Sequence, residues 1–257
     1  MIRVLVRAGM LAMVAAASLA AQGAAPAPAP KPPYEFVADF ALASSQGNQE
    51  VTTVSLGQRY SYAFPTFKFS QTASALRGTA NGVRNAELYQ AGLRGDYTLA
   101  KKLTAYLSAD GLRNTPAGLN RQFAEGLGLG YQFLDTDIDK LQLSLGLGAL
   151  QRSFVGAAGQ QNDFVGNAAG MYRHMFSKVS YFEQTAGFTP NFSSTDAWLF
   201  TTKSAVVAPL SSKIGIKVAY LINYNNAPPL NPRTTTNLTD RFKKFDGLLT
   251  TGVQFTY

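Results

Sequence analysis

The chain of 257 residues has no cysteine, a single histidine (His174) and a formal net charge of +8. It therefore offers no disulfide scaffold, no Cys-ligated metal and little scope for His-rich metal chemistry. Its 15% charged residues fall below the roughly 25% of average soluble domains, and its Lys and Arg are too dispersed among the aromatics to make a nucleic-acid stacking surface.

Residues 1–20 predict a signal peptide. Arg3 and Arg7 form a charged start, residues 8–17 an apolar stretch, and Ser18-Leu19-Ala20 a small-x-small cleavage site. Cleavage is expected after Ala20, with Gly23-Ala24-Ala25 as the alternative. Because no cysteine follows, lipoprotein processing is excluded. Residues 21–33 are rich in Ala and Pro and predict an extended periplasmic linker. Beyond residue 20 no run approaches the roughly 18–20 apolar residues of a membrane helix.

From Tyr34 onward the dominant signal has a period of two. Successive strand side chains point to opposite faces, so alternation predicts strands with one apolar and one polar side. Tyr34, Phe36, Phe40 and Leu42 oppose Glu35 and Asp39; Leu141, Leu143, Leu145 and Leu147 oppose Gln142, Ser144, Gly146 and Gly148. Trp198, Phe200, Thr202, Ser204 and Val206 oppose Thr201, Lys203 and Ala205. Ile214, Ile216, Val218, Tyr220, Ile222 and Tyr224 oppose Lys213, Gly215, Lys217, Ala219 and Asn223, and Phe245, Leu249, Val253, Phe255 and Tyr257 oppose Asp246, Thr250, Gly252, Gln254 and Thr256. The runs predict about twelve strands, with ten or fourteen open: 34–45, 49–64, 66–78, 84–99, 103–114, 121–134, 139–155, 163–177, 179–192, 196–210, 213–226 and 240–257.

Connections after even strands are very short, and those after odd strands tend to be longer, as at 115–120, 156–162 and 227–239. Short periplasmic turns with longer external loops characterise outer-membrane barrels. The expected fold is thus all-β: an up-and-down antiparallel transmembrane β-barrel over residues 34–257, in the outer membrane of a Gram-negative bacterium. Placing the apolar face in lipid turns Asp39, Arg59, Arg94, Asp96, Arg152, Arg173, Glu183, Lys203, Lys217, Lys244 and Asp246 toward the lumen. Asp110 points the same way, while Glu87, Glu125 and Lys243 face outward near the external rim. Aromatics gather at strand ends as interfacial girdles, among them Phe64, Phe67, Tyr97, Tyr131, Phe133 and Phe176 on the periplasmic side and Trp198 and Phe200 on the other.

The last eight residues, with Thr250, Gly252, Phe255 and Tyr257 at the marked places, resemble the carboxyl-terminal assembly signal of outer-membrane proteins. That pattern commonly ends in Phe; here it ends in Tyr. The resemblance implies delivery to the barrel-assembly machinery. Nearly the whole mature chain also resembles the family described as salt-induced outer-membrane proteins, a domain of unknown function. The resemblance rests on Ser45-Gln46-Gly47-Asn48, on Gly126-Leu127-Gly128-Leu129-Gly130-Tyr131, and on Tyr220–Pro229 ahead of Asp240, which is expected to open the last strand. It brings no established activity and no catalytic residues.

Other features read as structure. Gly126-x-Gly-x-Gly130 alternates with leucines inside a strand, unlike a dinucleotide loop between strand and helix; small residues there give curvature or lumen room. His174 suits the periplasmic girdle. A lipid hydrolase would need a serine hydroxyl beside it, and the same-face neighbour is Phe176. Inward Leu199, Leu221 and Leu248 mark internal packing or an apolar ligand patch. The expectation is a non-enzymatic envelope barrel without cofactor, acting as a narrow passive channel or a structural, stress-related element. Its partners would be outer-membrane lipids and lipopolysaccharide, with no nucleic acid. The alternatives are a membrane-embedded lipid hydrolase through His174 and a surface receptor or adhesin acting through external loops.

Overall fold

A computed structural model describes residues 32–45, 51–80, 82–156, 159–178, 180–231 and 240–256. The expected signal peptide, nearly all of the linker, Gln46-Gly47-Asn48 and Tyr257 lie outside the described residues.

Among the described residues there are twelve strands: β1 (Tyr34–Ser45), β2 (Val51–Ala63), β3 (Phe67–Ala80), β4 (Val83–Ala100), β5 (Leu103–Asn114), β6 (Leu119–Asp135), β7 (Asp139–Phe154), β8 (Gln161–Met175), β9 (Tyr181–Thr189), β10 (Leu199–Pro209), β11 (Ile214–Asn225) and β12 (Phe245–Thr256). Each pairs antiparallel with its sequence neighbours, and β1 pairs with β12, closing an up-and-down barrel. Closure joins the two terminal strands, so most of the backbone is satisfied within the ladders without water, as hydrocarbon surroundings demand. The closing seam is short, joining Val37–Phe40 to Val253–Thr256.

The alternation places the strands well, and the departures have local causes. β9 stops at Thr189 because Pro190 has no N–H for the ladder. Asn191 nevertheless still bridges Val165 on β8. β12 starts at Phe245, not at Asp240, because the preceding residues pair elsewhere. Arg241 bridges Leu230, the Asn231 N–H donates to the Asp240 carbonyl and the Phe242 N–H to the Pro229 carbonyl. The connection from β11 to β12 thus pairs its own described ends, 229–231 with 240–242. The two loop classes are also less strict than expected: β3 passes to β4 through Asn81 and Gly82 alone, Gly82 taking a positive φ of 75° that suits glycine.

The registers carry one parity around the wall. Val37 lies opposite Arg59, Arg59 opposite Thr72, Thr72 opposite Gly92, Gly92 opposite Asp110 and Asp110 opposite Ala124. These residues face the lumen and the alternate set faces out. The outward set is a leucine-rich wall in which Leu107 is 70% exposed and Leu145 69% exposed to the surroundings. In water such a continuous apolar surface would drive association; in lipid it is the required face. The outward charges Arg77, Glu87, Arg113, Arg121 and Glu125 lie toward the external ends of their strands. Glu87 is nearly inaccessible, held by Arg113 Nε at 3.1 Å and by the Thr115 hydroxyl at 3.0 Å. Aromatic contacts mark both rims: Tyr62–Phe64 and Tyr131–Phe133 on the periplasmic side, Trp198 stacked on Tyr224 on the other. A closed barrel bearing these features is an outer-membrane β-barrel.

Candidate functional site

The lumen is where the inward charges meet, and it has two unlike walls. On one wall ion pairs leave their own strands. Arg173 on β8 donates to Glu183 on β9, with Nη2 at 2.6 Å and Nε at 3.0 Å from Oε2. Arg59 on β2 reaches the other oxygen of Glu183 at 3.5 Å, although β1, β12, β11 and β10 lie between their strands on the shorter way round. Arg173 also stands 4.0 Å from Glu35 on β1. The Tyr181 hydroxyl on β9 donates to Gln254 Oε1 on β12 at 3.0 Å, both residues being buried. Lys217 Nζ on β11 donates to Asp39 on β1 at 2.8 Å, passing over β12. These contacts span the lumen in its periplasmic part. Charge-assisted bonds of this kind hold well where side chains around them exclude water.

The opposite wall, β4 to β7, keeps its charge local. Arg94 pairs with Asp96 two residues along its own strand at 2.8 Å, and its guanidinium lies 3.8 Å over the Tyr106 ring on β5. Tyr106 in turn covers Gly128 and Gly146. A Cβ on either glycine would collide with the ring and with the backbone of the adjoining strand. The glycine ladder therefore admits a flat aromatic ring to a wall that side chains would otherwise fill. Asp110 also lies on this wall, register-paired with Gly92.

The remaining expected lumen residues lie further out. Arg152 and Asp163 form a buried pair at 2.7 Å. Asp246 is on β12, opposite Asn223. Lys244 precedes β12 and lies in the connection before it, bonded to Asn226 at 3.2 Å. Lys243, expected on the outer face, lines a small cavity of about 130 Å³ with Lys244, Pro228 and Pro229. Both departures follow from the late start of β12. The same connection places Phe242 against Gly118, in the turn between β5 and β6. Since β5 lies across the barrel from β11 and β12, this segment crosses the external mouth.

Between that segment and the ion pairs lies a chamber of about 440 Å³. Lys203 and Lys217 line it, as do Leu221 and Leu248 on one side and Leu76, Leu88 and Leu112 on the other. The last three were not marked by any feature of the sequence, nor were Tyr106 and Tyr181, while Gln254 stood only among the polar face of the last strand. Alternation places all six inward, but nothing in a single strand says which inward residues will face one another across the barrel.

His174 faces outward at the periplasmic end. Its Nδ1 lies 2.8 Å from Asp139 and its ring packs edge-on against Phe176 at 5.1 Å. Among the described residues no serine hydroxyl bonds the ring. Of the assembly-signal residues, Thr250 donates to the Ala219 carbonyl at 3.3 Å and Phe255 faces outward, exposed. Gly252 borders the β1–β12 seam, where a Cβ would meet the Phe40 carbonyl and Ala41. That close approach gives the glycine a structural reason of its own.

Comparison with known proteins places the fold in context. Residues 38–242 match the family described as "Protein of unknown function, DUF481". The uncharacterized protein YdiY of Escherichia coli (strain K12) is 24% identical over 199 residues, covering 77% of each chain. Among solved structures, the NanC porin aligns over 86% of this chain and 98% of its own at 11% identity, with a TM-score of 0.49. An anion-selective porin from Comamonas acidovorans aligns over 87% of this chain and 98% of its own at 10% identity, with a TM-score of 0.42.

Proposed function

The chain belongs to the DUF481 family of unknown function, and from its own geometry we propose that it is a non-enzymatic barrel providing a narrow passive pathway across the outer membrane. The observation that carries this reading is the lumen itself: a chamber of about 440 Å³ ending in a constriction made of side chains, with Arg59 and Glu183 reaching each other from distant strands. A barrel of this strand number lies between tightly filled eight-stranded types and open sixteen-stranded porins. Four cations (Arg59, Arg173, Lys203, Lys217) stand against three carboxylates (Glu35, Asp39, Glu183) around the constriction. A single excess positive charge gives a mild preference for anions.

The amino-terminal pattern of residues 1–20 fits Sec-type export with removal of that segment. The carboxyl-terminal pattern fits recognition by the barrel-assembly machinery, and the leucine wall would meet outer-membrane lipids and lipopolysaccharide. The non-enzymatic reading draws on the surroundings of His174, whose ring packs edge-on against Phe176 in the outward aromatic girdle at 5.1 Å.

Planar-bilayer conductance of the purified protein tests the pathway. The native chain should give a small, weakly anion-preferring conductance. Arg59→Ala removes the cross-lumen contact while leaving Arg173 paired with Glu183, so conductance should rise and the preference shift toward cations. If both proteins are silent, the pathway is wrong and a structural role for the filled lumen replaces it.

A further inference from the structure

We propose that the lumen chamber is a binding site for an amphipathic monoanion: one carboxylate on an apolar body, its head group at Lys203 and its body between the facing leucines. The inference goes beyond the pathway, because a ligand can occupy the chamber whether or not it passes the constriction.

The head-group site rests on the fate of each charge around it. Lys203 faces Lys217, Arg59, Glu183 and Asp39. Asp39 is bonded at Oδ2 by Lys217 at 2.8 Å, its buried Oδ1 having no partner among the described residues, and Glu183 is held by Arg173 and Arg59. Among the described residues the Lys203 ammonium has no hydrogen-bond or salt-bridge partner. An ammonium facing into a chamber, with each neighbouring carboxylate already paired to another cation, is a receptor for one further anion. It is also a poor receptor for a dianion, since only one charge is left uncompensated.

The apolar half follows from register. Lys203 lies opposite Leu221, and Leu221 opposite Leu248, so the ammonium stands at the end of a row with two leucines. Leu76 lies opposite Leu88 on the facing wall, and both line the same chamber. A wall meant only for hydrated ions gains nothing from leucines facing leucines across water. An alkyl or aryl body between them buries apolar surface on both sides. The volume of about 440 Å³ falls within the roughly 300–1,000 Å³ of small-molecule sites. The chamber shares Leu88, Leu112 and Asn223 with the small cavity beneath the β11–β12 connection, so the two adjoin toward the mouth.

The test is calorimetry on the full chain in lipid nanodiscs, with empty nanodiscs as blank. The probes are butanoate, hexanoate, octanoate, phenylacetate and octylammonium, all below their aggregation thresholds. Carboxylate binding should tighten about fourfold per added methylene, the equivalent of burying each one. Octylammonium should not bind. Lys203→Gln should weaken octanoate at least tenfold. Leu221→Asn should flatten the chain-length series, and Lys178→Gln, in a periplasmic turn, should change nothing. Heat-modifiable migration on SDS gels confirms that each variant forms its barrel. A preference between octanoate and phenylacetate tells a fatty-acid source from an aromatic-acid one, and either upholds the site. Octanoate binding unchanged by Lys203→Gln, or matched by octylammonium, overturns it. Binding without conductance removes the pathway and keeps the site; conductance without binding does the reverse.

Discussion

Two arginines that look alike in the sequence end in different kinds of wall. Arg94 and Arg173 each sit on the polar side of an alternating strand. Arg94 finds its carboxylate two residues away on the same strand and rests on the ring of the next one. Arg173 finds Glu183 on the neighbouring strand, and that same Glu183 draws in Arg59 from a distant part of the barrel. The first arrangement is a local clamp that decorates one wall. The second is a strut that fixes two walls relative to each other. The difference teaches that an inward charge takes its role from what stands across the lumen, and that barrel closure creates that neighbour.

The largest way to break the contrast is Glu183→Ala. It leaves Arg59 and Arg173 facing each other in the constriction without their shared carboxylate. Breaking a buried pair destabilises by about 3–5 kcal/mol. Because Arg59 is 32% exposed, the lower end applies, about 3 kcal/mol, measured by urea unfolding in lipid vesicles. Next comes the local wall. Gly146→Val drives a side chain into Tyr106 and the adjoining backbone, with an overpacking loss of about 1–3 kcal/mol. It should also displace Arg94 from the ring, visible as a changed tyrosine environment in near-ultraviolet circular dichroism. The smallest effect is expected for Asp96→Asn. That pair lies within one strand, with Arg94 30% exposed, so the loss should stay within about 1 kcal/mol and conductance should not move. If Asp96→Asn matched Glu183→Ala in either measurement, the distinction between clamp and strut would be wrong.

Much of the barrel was legible because its physics is local. Each strand must turn one face to oil, so the leucines of β7 and the aromatics of β1 announce their face residue by residue. The outward wall, the rim aromatics and the position of His174 followed from that rule. Where a boundary slipped, another local fact was in competition. Pro190 ended β9 early, and the residues before Phe245 paired with the start of the same connection, which moved Lys243 and Lys244 to the mouth. The glycine ladder was legible as room in the lumen, but not as the seat of Tyr106, which comes from another strand.

The sequence by itself determined the inside and outside of the wall, because a strand repeats every two residues and the free energy of burying charge in lipid enforces the choice. The tertiary structure alone decided which inward residues meet. Arg59 and Glu183, or Leu76 and Leu221, are far apart along the chain and share no strand. They come to one space only because twelve tilted strands close on themselves, and the pairing across that space is set by shear and curvature that no single strand encodes.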